Sequence, residues 1–407
     1  MKINKNRFSG LLGLLLVALM LIFEARYYTI KVIILLLLTL IFIGSFRVEK
    51  PVLKVYFALC ISSILGAIVG VTMSTLYPFS TLTIGVVWPT LSLIIAIPLL
   101  KTEENFLVLI KWLFFIHSFL VIYDLSFSMS VIWGFSFPNI YPEIETPFSF
   151  YGFTSRMNFY NLNVLTFTTP IFFMIWLSKY DIRINRVIQT IVLTLSFFLL
   201  IFSGRRSLML IFVLAPLLTM MIGGVLPRHV VKKTKKYLII FIVFIAGVLV
   251  YTYMNYIDIF QGYLYTFTKA FDSNEEPTKF VQADLLLQTF KENPIFGAGS
   301  GVQLYETARG IWKYQFELTY LHKLATGGVI GFTLYIIGVV GPFLIGLKYA
   351  KKHKDQLFVF VLVGYFFVLI ADATNPVLCS FDLMLPLYLC YAKINSHALI
   401  EKNNLNF

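Results

Sequence analysis

KFVQADLLLQTFKENPIFGAGSGVQLYETARGIWKYQFELTYLHKLATGGVIGF, residues Lys279 to Phe332, is where the longest polar segment between apolar runs meets one of those runs. Phe280, Ala283, Leu287 and Phe290 recur three and four apart. That spacing predicts a helix of about 14 residues with one apolar stripe. Asn293-Pro294 ends it, because proline disfavours helical geometry in the residue before it. Gly297-Ala298-Gly299-Ser300-Gly301 follows, a backbone free to take positive φ and to let another group approach closely. Glu317 then leads into an apolar run at Leu318 that carries Gly327, Gly328 and Gly331. The rest of the chain reads as a scaffold that holds this segment on one side of a bilayer.

The scaffold is membrane by composition. Of 407 residues, 58% are hydrophobic and only 13% charged, and mean hydropathy is +0.83, values that a domain with an ordinary solvated surface does not reach. The net charge of +13 does not mark a nucleic-acid binder, because the cations sit in short clusters between apolar runs, such as Arg228 to Lys236 and Lys348 to Lys354. Cys60, Cys379 and Cys390 lie in or beside apolar runs without paired spacing, which gives neither a disulfide framework nor a zinc site. Lys2, Lys5 and Arg7 before the run Phe8 to Phe23 resemble a signal peptide, but Glu24 and Arg26 follow where small residues would be cleaved. A retained first helix is expected.

About 12 runs are long enough to cross roughly 30 Å of hydrocarbon. They are Phe8 to Phe23, Thr29 to Phe46, Val52 to Ser74, Thr81 to Leu100, Phe106 to Trp133, Asn161 to Leu177, Val187 to Phe202, Ser207 to Leu226, Tyr237 to Tyr256, Leu318 to Leu347, Leu357 to Ala371 and Val377 to Ala392. With the N-terminus cytoplasmic, the loops Arg47 to Lys54, Lys101, Lys179 to Arg186, Arg228 to Lys236 and Lys348 to Lys354 are cytoplasmic as well. With the termini they hold about two-thirds of the 33 Lys and Arg, which satisfies the positive-inside rule loop after loop. The expectation is an all-α integral membrane protein, a single polytopic domain over 1–407 with both termini cytoplasmic. One large outer loop, 257–316, carries the amphipathic helix. Gly134 to Tyr160 and the turn Ser203-Gly204-Arg205-Arg206 are smaller outer segments. Tyr and Trp crowd the outer span ends, as at Tyr77, Trp133, Tyr256, Trp312 and Tyr320, in the manner of an interfacial belt that can also stack on sugar rings.

Arg205 and Arg206 form a basic turn on the side where few cations are expected, just before a helix starting near Ser207. Free N–H groups at a helix start and a guanidinium fork together describe a phosphate site, against the plainer reading that both snorkel to lipid headgroups. Lys279 at the head of the amphipathic helix, Arg156 at the mouth of the next span, and Lys291, Arg309 and Lys313 are further outer cations, for which a solvated face is the alternative. Glu317 and His322 stand at the start of a span, five positions and so about 140° apart on a helix. Either suits a general base for a hydroxyl nucleophile, and either also suits a structural part, as a dipole-favoured acid or a packed imidazole. Asp124 and Asp372 are acids in or near spans, functional sites or buried hydrogen-bond partners. The GAGSG run lacks the strand and helix that frame a phosphate loop, and no metal-binding pattern is present.

The run N-P-I-F-G-A-G-S-G at Asn293 to Gly301, then G-G-V-I-G-F at Gly327 to Phe332, with the S-G-R-R turn ahead of them at the head of a helix, resembles the O-antigen ligase and Wzy-like polysaccharide polymerase superfamily. The motif likeness spans roughly 201–347. It implies a GT-C-like helical bundle in the bacterial cytoplasmic (inner) membrane, a glycosyltransferase that works on the outer face without nucleotide sugar, metal or cofactor. Its donor and acceptor would be oligosaccharides linked to undecaprenyl diphosphate, and its protein partners a flippase and a chain-length regulator. By this resemblance Arg205 or Arg206 binds the diphosphate, and the second family arginine is replaced by Lys279, which keeps the charge and loses the fork. The ligase histidine is replaced by Glu317, with His322 five residues further on. That favours a polymerase of O-antigen, capsule or exopolysaccharide over a ligase to lipid A core. A lipid-linked oligosaccharide flippase is the alternative outside the enzyme class, since a chain with this many spans fits it too.

Overall fold

Hydrocarbon offers no hydrogen bonds, so an apolar run must satisfy its own backbone, and a helix does so within one segment. In the computed structural model, which describes residues 5–24, 26–141, 148–151, 154–157, 161–203, 211–222, 225–257, 261, 277–307 and 309–405, the chain is an all-α membrane protein, 79% helical. Its helices are α1 (Lys5–Ile22), α2 (Tyr28–Phe42), α3 (Lys50–Thr72), α4 (Ser80–Leu99), α5 (Glu103–Trp133), α6 (Leu162–Ser178), α7 (Arg186–Phe202), α8 (Ile211–Met221), α9 (Arg228–Asn255), α10 (Pro277–Glu292), α11 (Thr319–His353), α12 (Gln356–Asp372) and α13 (Leu385–Leu405). Five stretches, Tyr28–Ser45, α3, α4, α5 and α11, are long and apolar enough to cross a membrane, and α6, α7, α8 and α12 hold shorter apolar helices. Two short antiparallel hairpins interrupt the helices, β1 (Phe148–Tyr151) with β2 (Thr154–Met157), and β3 (Leu304–Glu306) with β4 (Ile311–Lys313).

Three expectations need correction. The basic stretches Arg228 to Lys236 and Lys348 to His353 are the first turns of α9 and the last turns of α11, not loops; their lysines have long apolar stems that ride on a helix as readily as on a coil. The run from Val377 does not form one span: Val377–Cys379 and Phe381–Leu383 are separate 3₁₀ turns, and α13 starts at Leu385 and continues to Leu405. Acids hold the turns in place, since Asp372 Oδ1 accepts from Leu378 N at 2.7 Å and Asp382 Oδ1 accepts from Lys31 Nζ at 2.8 Å, an ion pair with no solvent access. In the amphipathic helix α10 the buried ridge is Gln282, Leu286 and Thr289, while Phe280 and Leu287 of the expected stripe are exposed. Polar pairing decides this, because the Gln282 amide has two partners below the helix, Glu306 and the backbone of Glu317.

Three segments that the charge pattern assigns to one side, at Arg47 to Glu49, Lys101 to Glu103 and Asp355, meet on α13. Asn395 of α13 bonds the backbone of Glu49 and Arg47, Ser396 bonds Lys101 O, and Lys393 bridges Glu103 and, at 2.7 Å, Asp355. His397 donates to the same Asp355 at 3.0 Å. Lys393, Asn395, Ser396 and His397 of α13 are thus buried among the segments that precede α3, α5 and α12.

At the opposite end α11 is broken. Gly328 takes φ 59° and ψ −169°, far from helix, and frees the backbone groups on either side of it. The loop after α10 supplies their partners. Ala298 N and Gly299 N donate to Ala325 O and Thr326 O at 2.9 and 3.0 Å, and Val329 N and Ile330 N donate to Pro294 O and Ile295 O at 2.9 and 3.3 Å. Such an interruption inside an apolar helix is tolerated because neighbouring backbone takes up the freed groups. The loop is fastened on its other flank as well, with Ser300 N donating to Gly66 O of α3 at 2.8 Å. Gly299 has φ +86°, and a Cβ there would stand 2.5 Å from Gly70 N, so only glycine lets α3 and the loop touch. The glycine run therefore serves close backbone approach, and the group it approaches is the broken helix.

Candidate functional site

Two polar assemblies flank this clamp. In the first, Gln282 of α10, the hairpin β3–β4 and the residues before α11 meet around Glu306, whose side chain is fully buried. Glu306 accepts from Gln282 Nε2 at 3.1 Å and pairs with Lys313 Nζ at 3.1 Å and Arg309 Nε at 3.6 Å. Arg309 also reaches Glu317, Nη2 to Oε1 at 2.7 Å, and that bond strengthens the hold of the guanidinium on its proton. Two acids facing two cations make a neutral brace, which fixes the hairpin to α10 and to the residue before the long helix.

The second assembly is a cavity at the break itself. Two adjoining spaces of about 40 Å³ each share Thr81, Ile84, Ser300, Lys323, Thr326 and Cys379 as walls. One extends along α3 to Ser62, Ser63 and Tyr335, the other toward Tyr314, Phe316 and His322. Hydroxyls are linked across the wall, with Ser300 Oγ donating to Thr81 Oγ1 at 2.8 Å. Lys323 projects its ammonium over the Tyr335 ring, 5.4 Å from the centroid. Tyr335 in turn donates to Asp372 Oδ2 at 3.1 Å. The ring of His322 lies against Phe316, and its Nε2 is buried without a hydrogen-bond partner.

The candidate residues fall out as follows. His322 lines the cavity; Glu317 does not, and is tied to Arg309 in the brace instead. Lys279 lies in the first turn of α10, three residues before Gln282 and so at the rim of that brace. Arg156 is on β2, opposite Ser149 in the register, on the other hairpin. Arg205 and Arg206 lie outside the described residues. Asp372 accepts from Tyr335 and from Leu378 N behind the cavity lining, while Asp124, buried in α5, has one carboxylate oxygen without a partner. His117, on the same face of α5 two turns earlier, is bonded on both nitrogens, to Thr168 and Ser196.

Lys323 is the functional candidate that sequence reasoning passed over. It sits inside a run read as a span, next to His322, near the start of α11. An ammonium placed among apolar residues is costly and marks a site, and that signal was present in the sequence.

Compared with known proteins, the chain matches no protein-family model and no curated sequence.

Proposed function

We propose that the protein is a polysaccharide polymerase, a metal-independent glycosyltransferase that joins oligosaccharides carried on undecaprenyl diphosphate at the outer face of a bacterial cytoplasmic membrane. In this reading the bundle has about 12 spans in a GT-C-like arrangement, and the cationic end with both termini is cytoplasmic. The observation that carries it is the convergence of the resembling motifs. Asn293 to Gly301 and Gly327 to Phe332 are bonded to each other as one clamp, and a cavity with His322 and Lys323 adjoins it. A terminal hydroxyl of the acceptor attacks the anomeric carbon of the donor sugar. The bond from that carbon to the diphosphate breaks, its electron pair leaves with the diphosphate, and the hydroxyl proton passes to a base. Cations at Arg205, Arg206 and Lys279 would stabilise the departing charge.

Of the two candidate bases, His322 has an unpaired ring nitrogen beside the cavity, whereas Glu317 stands outside the cavity lining and is paired with Arg309 through Oε1. His322 is therefore the assigned base, with Glu317 holding the mouth of α11 in register. Surface glycan from cells lacking the gene should collapse to a single repeat unit on a gel. Wild type should restore the ladder, and Arg205→Ala and His322→Ala should not. Normal polymer length from both variants at normal expression would defeat the proposal, and a normal ladder left unattached would indicate a ligase instead.

One observation favours the flippase reading. An interrupted helix beside a polar cavity is how transporters build a substrate site. Against it, the interruption is bonded on both sides to a loop, which leaves little freedom for alternating access. Repeat units retained on the cytoplasmic face of deletion cells would select the flippase.

A further inference from the structure

We propose that the cavity at the α11 break is a binding site for one oxyanion group, a phosphate or a carboxylate, with Lys323 as its cation. The site stands on its own geometry; the choice between the carrier's diphosphate and an acidic sugar of the glycan rests on the polymerase reading.

An ammonium inside an apolar helix needs a counter-charge. Asp372 is the acid at hand, and it is already engaged: one oxygen accepts from Tyr335 and the other from Leu378 N. Lys323 forms no ion pair with it. Among the described residues its ammonium rests over the Tyr335 ring, which steadies a cation without using its N–H donors. Among the described residues that line the two spaces none is an acid, and Asp372 stands behind Tyr335 without a direct ion pair to Lys323, so Lys323 is the charged group of the lining itself. A second polar group faces the same space, because His322 brings a buried ring nitrogen without a partner to the wall that Lys323 shares. About 40 Å³ in each of the two adjoining spaces leaves room for a single oxyanion group. The hydroxyls of Ser300 and Thr81 complete a polar lining suited to the remaining oxygens. Adjacent on one helix, His322 and Lys323 would set a proton acceptor and an anion clamp side by side.

The test uses the purified full-length protein with two probe pairs: farnesyl diphosphate against farnesol, and a glucuronate-containing oligosaccharide against its carboxyl-reduced form. Wild type should bind the charged member of one pair and not its neutral counterpart, and the pair that binds identifies the source of the anion. Lys323→Met should weaken that binding by about tenfold or more, and Lys323→Arg should keep it within about threefold. Cys379 borders both spaces, whereas Cys60 and Cys390 are buried, so a bound anion should also slow maleimide labelling of wild-type Cys379. That second reading holds even where Lys323→Met fails to fold. The site is refuted when no charged probe binds or protects Cys379, or when folded Lys323→Met binds as wild type does. Binding is measured without any glycan product, which separates the two proposals. Lost binding in Lys323→Met beside an unchanged surface ladder in deletion cells keeps the site and removes the polymerase. A collapsed ladder in deletion cells with unchanged Lys323→Met binding does the reverse.

Discussion

At Gly328 a single methyl group decides whether α11 can break. The backbone there has φ +59°, and an added Cβ would stand 2.3 Å from Ile295 O, a fixed carbonyl of the clamp. Gly328→Ala should therefore cost about 2 to 3 kcal/mol or more and lower the melting temperature in detergent by several degrees. Gly331, three residues on, has nothing within 4 Å of an added Cβ, and Gly331→Ala should be neutral or slightly stabilising. Equal effects at the two positions would mean that the break is not held by this contact. The sequence announces that these glycines permit unusual backbone, and that was legible. What they approach was not, because the partners lie far along the chain: Gly66 and Gly70 of α3 for the loop, Pro294 and Ile295 for the broken helix. Lys323 was legible in principle as a cation inside a span, and was lost because the surrounding apolar run dominated the reading.

At the scale of elements, α10 shows where periodicity misleads. Phe280 and Leu287 have the right spacing for a buried stripe, yet the helix is seated by Gln282, which reaches the fully buried Glu306. A spacing rule weighs side chains by polarity and cannot see that a polar one has a buried partner. Glu306→Gln leaves Lys313 and Arg309 facing a neutral amide and should loosen the β3–β4 hairpin by about 1 to 3 kcal/mol. Limited proteolysis should then cut faster within 304–313 than in wild type. Unchanged cleavage would show that the brace does not hold the hairpin. The same blindness to distant partners explains the last apolar run. Val377 to Leu383 was read as span, whereas Asp372 and Lys31 pin it into 3₁₀ turns. Boundaries governed by the run itself, as in α3, α6 and α12, were read to within two residues.

On the scale of the whole molecule, the two ends differ in what they are built from. One end is knotted by charge around α13. Burial pushes the Asp355 carboxyl up, but the His397 hydrogen bond and the Lys393 ammonium outweigh it and hold it below the usual carboxylate range. A carboxyl whose folded value lies below its unfolded one contributes stability above the unfolded value, about 4, and loses it as pH falls through and below that point. Wild type should thus lose melting temperature steeply on acidification below about pH 4. Asp355→Asn should begin lower at neutral pH and fall less steeply, and parallel curves would remove Asp355 from the knot. The other end is a backbone clamp with a cavity, and there the proposed chemistry sits.

Reconstitution tests that chemistry most directly. Purified protein in proteoliposomes is supplied with undecaprenyl-diphosphate-linked repeat units, and both glycan length and released undecaprenyl diphosphate are followed with time. The expected result is one carrier diphosphate released per new linkage, with the rate lowered by about 100-fold or more in His322→Ala. Repeat units that cross the bilayer without lengthening, with no carrier released, would contradict the assignment of the protein as a polymerase.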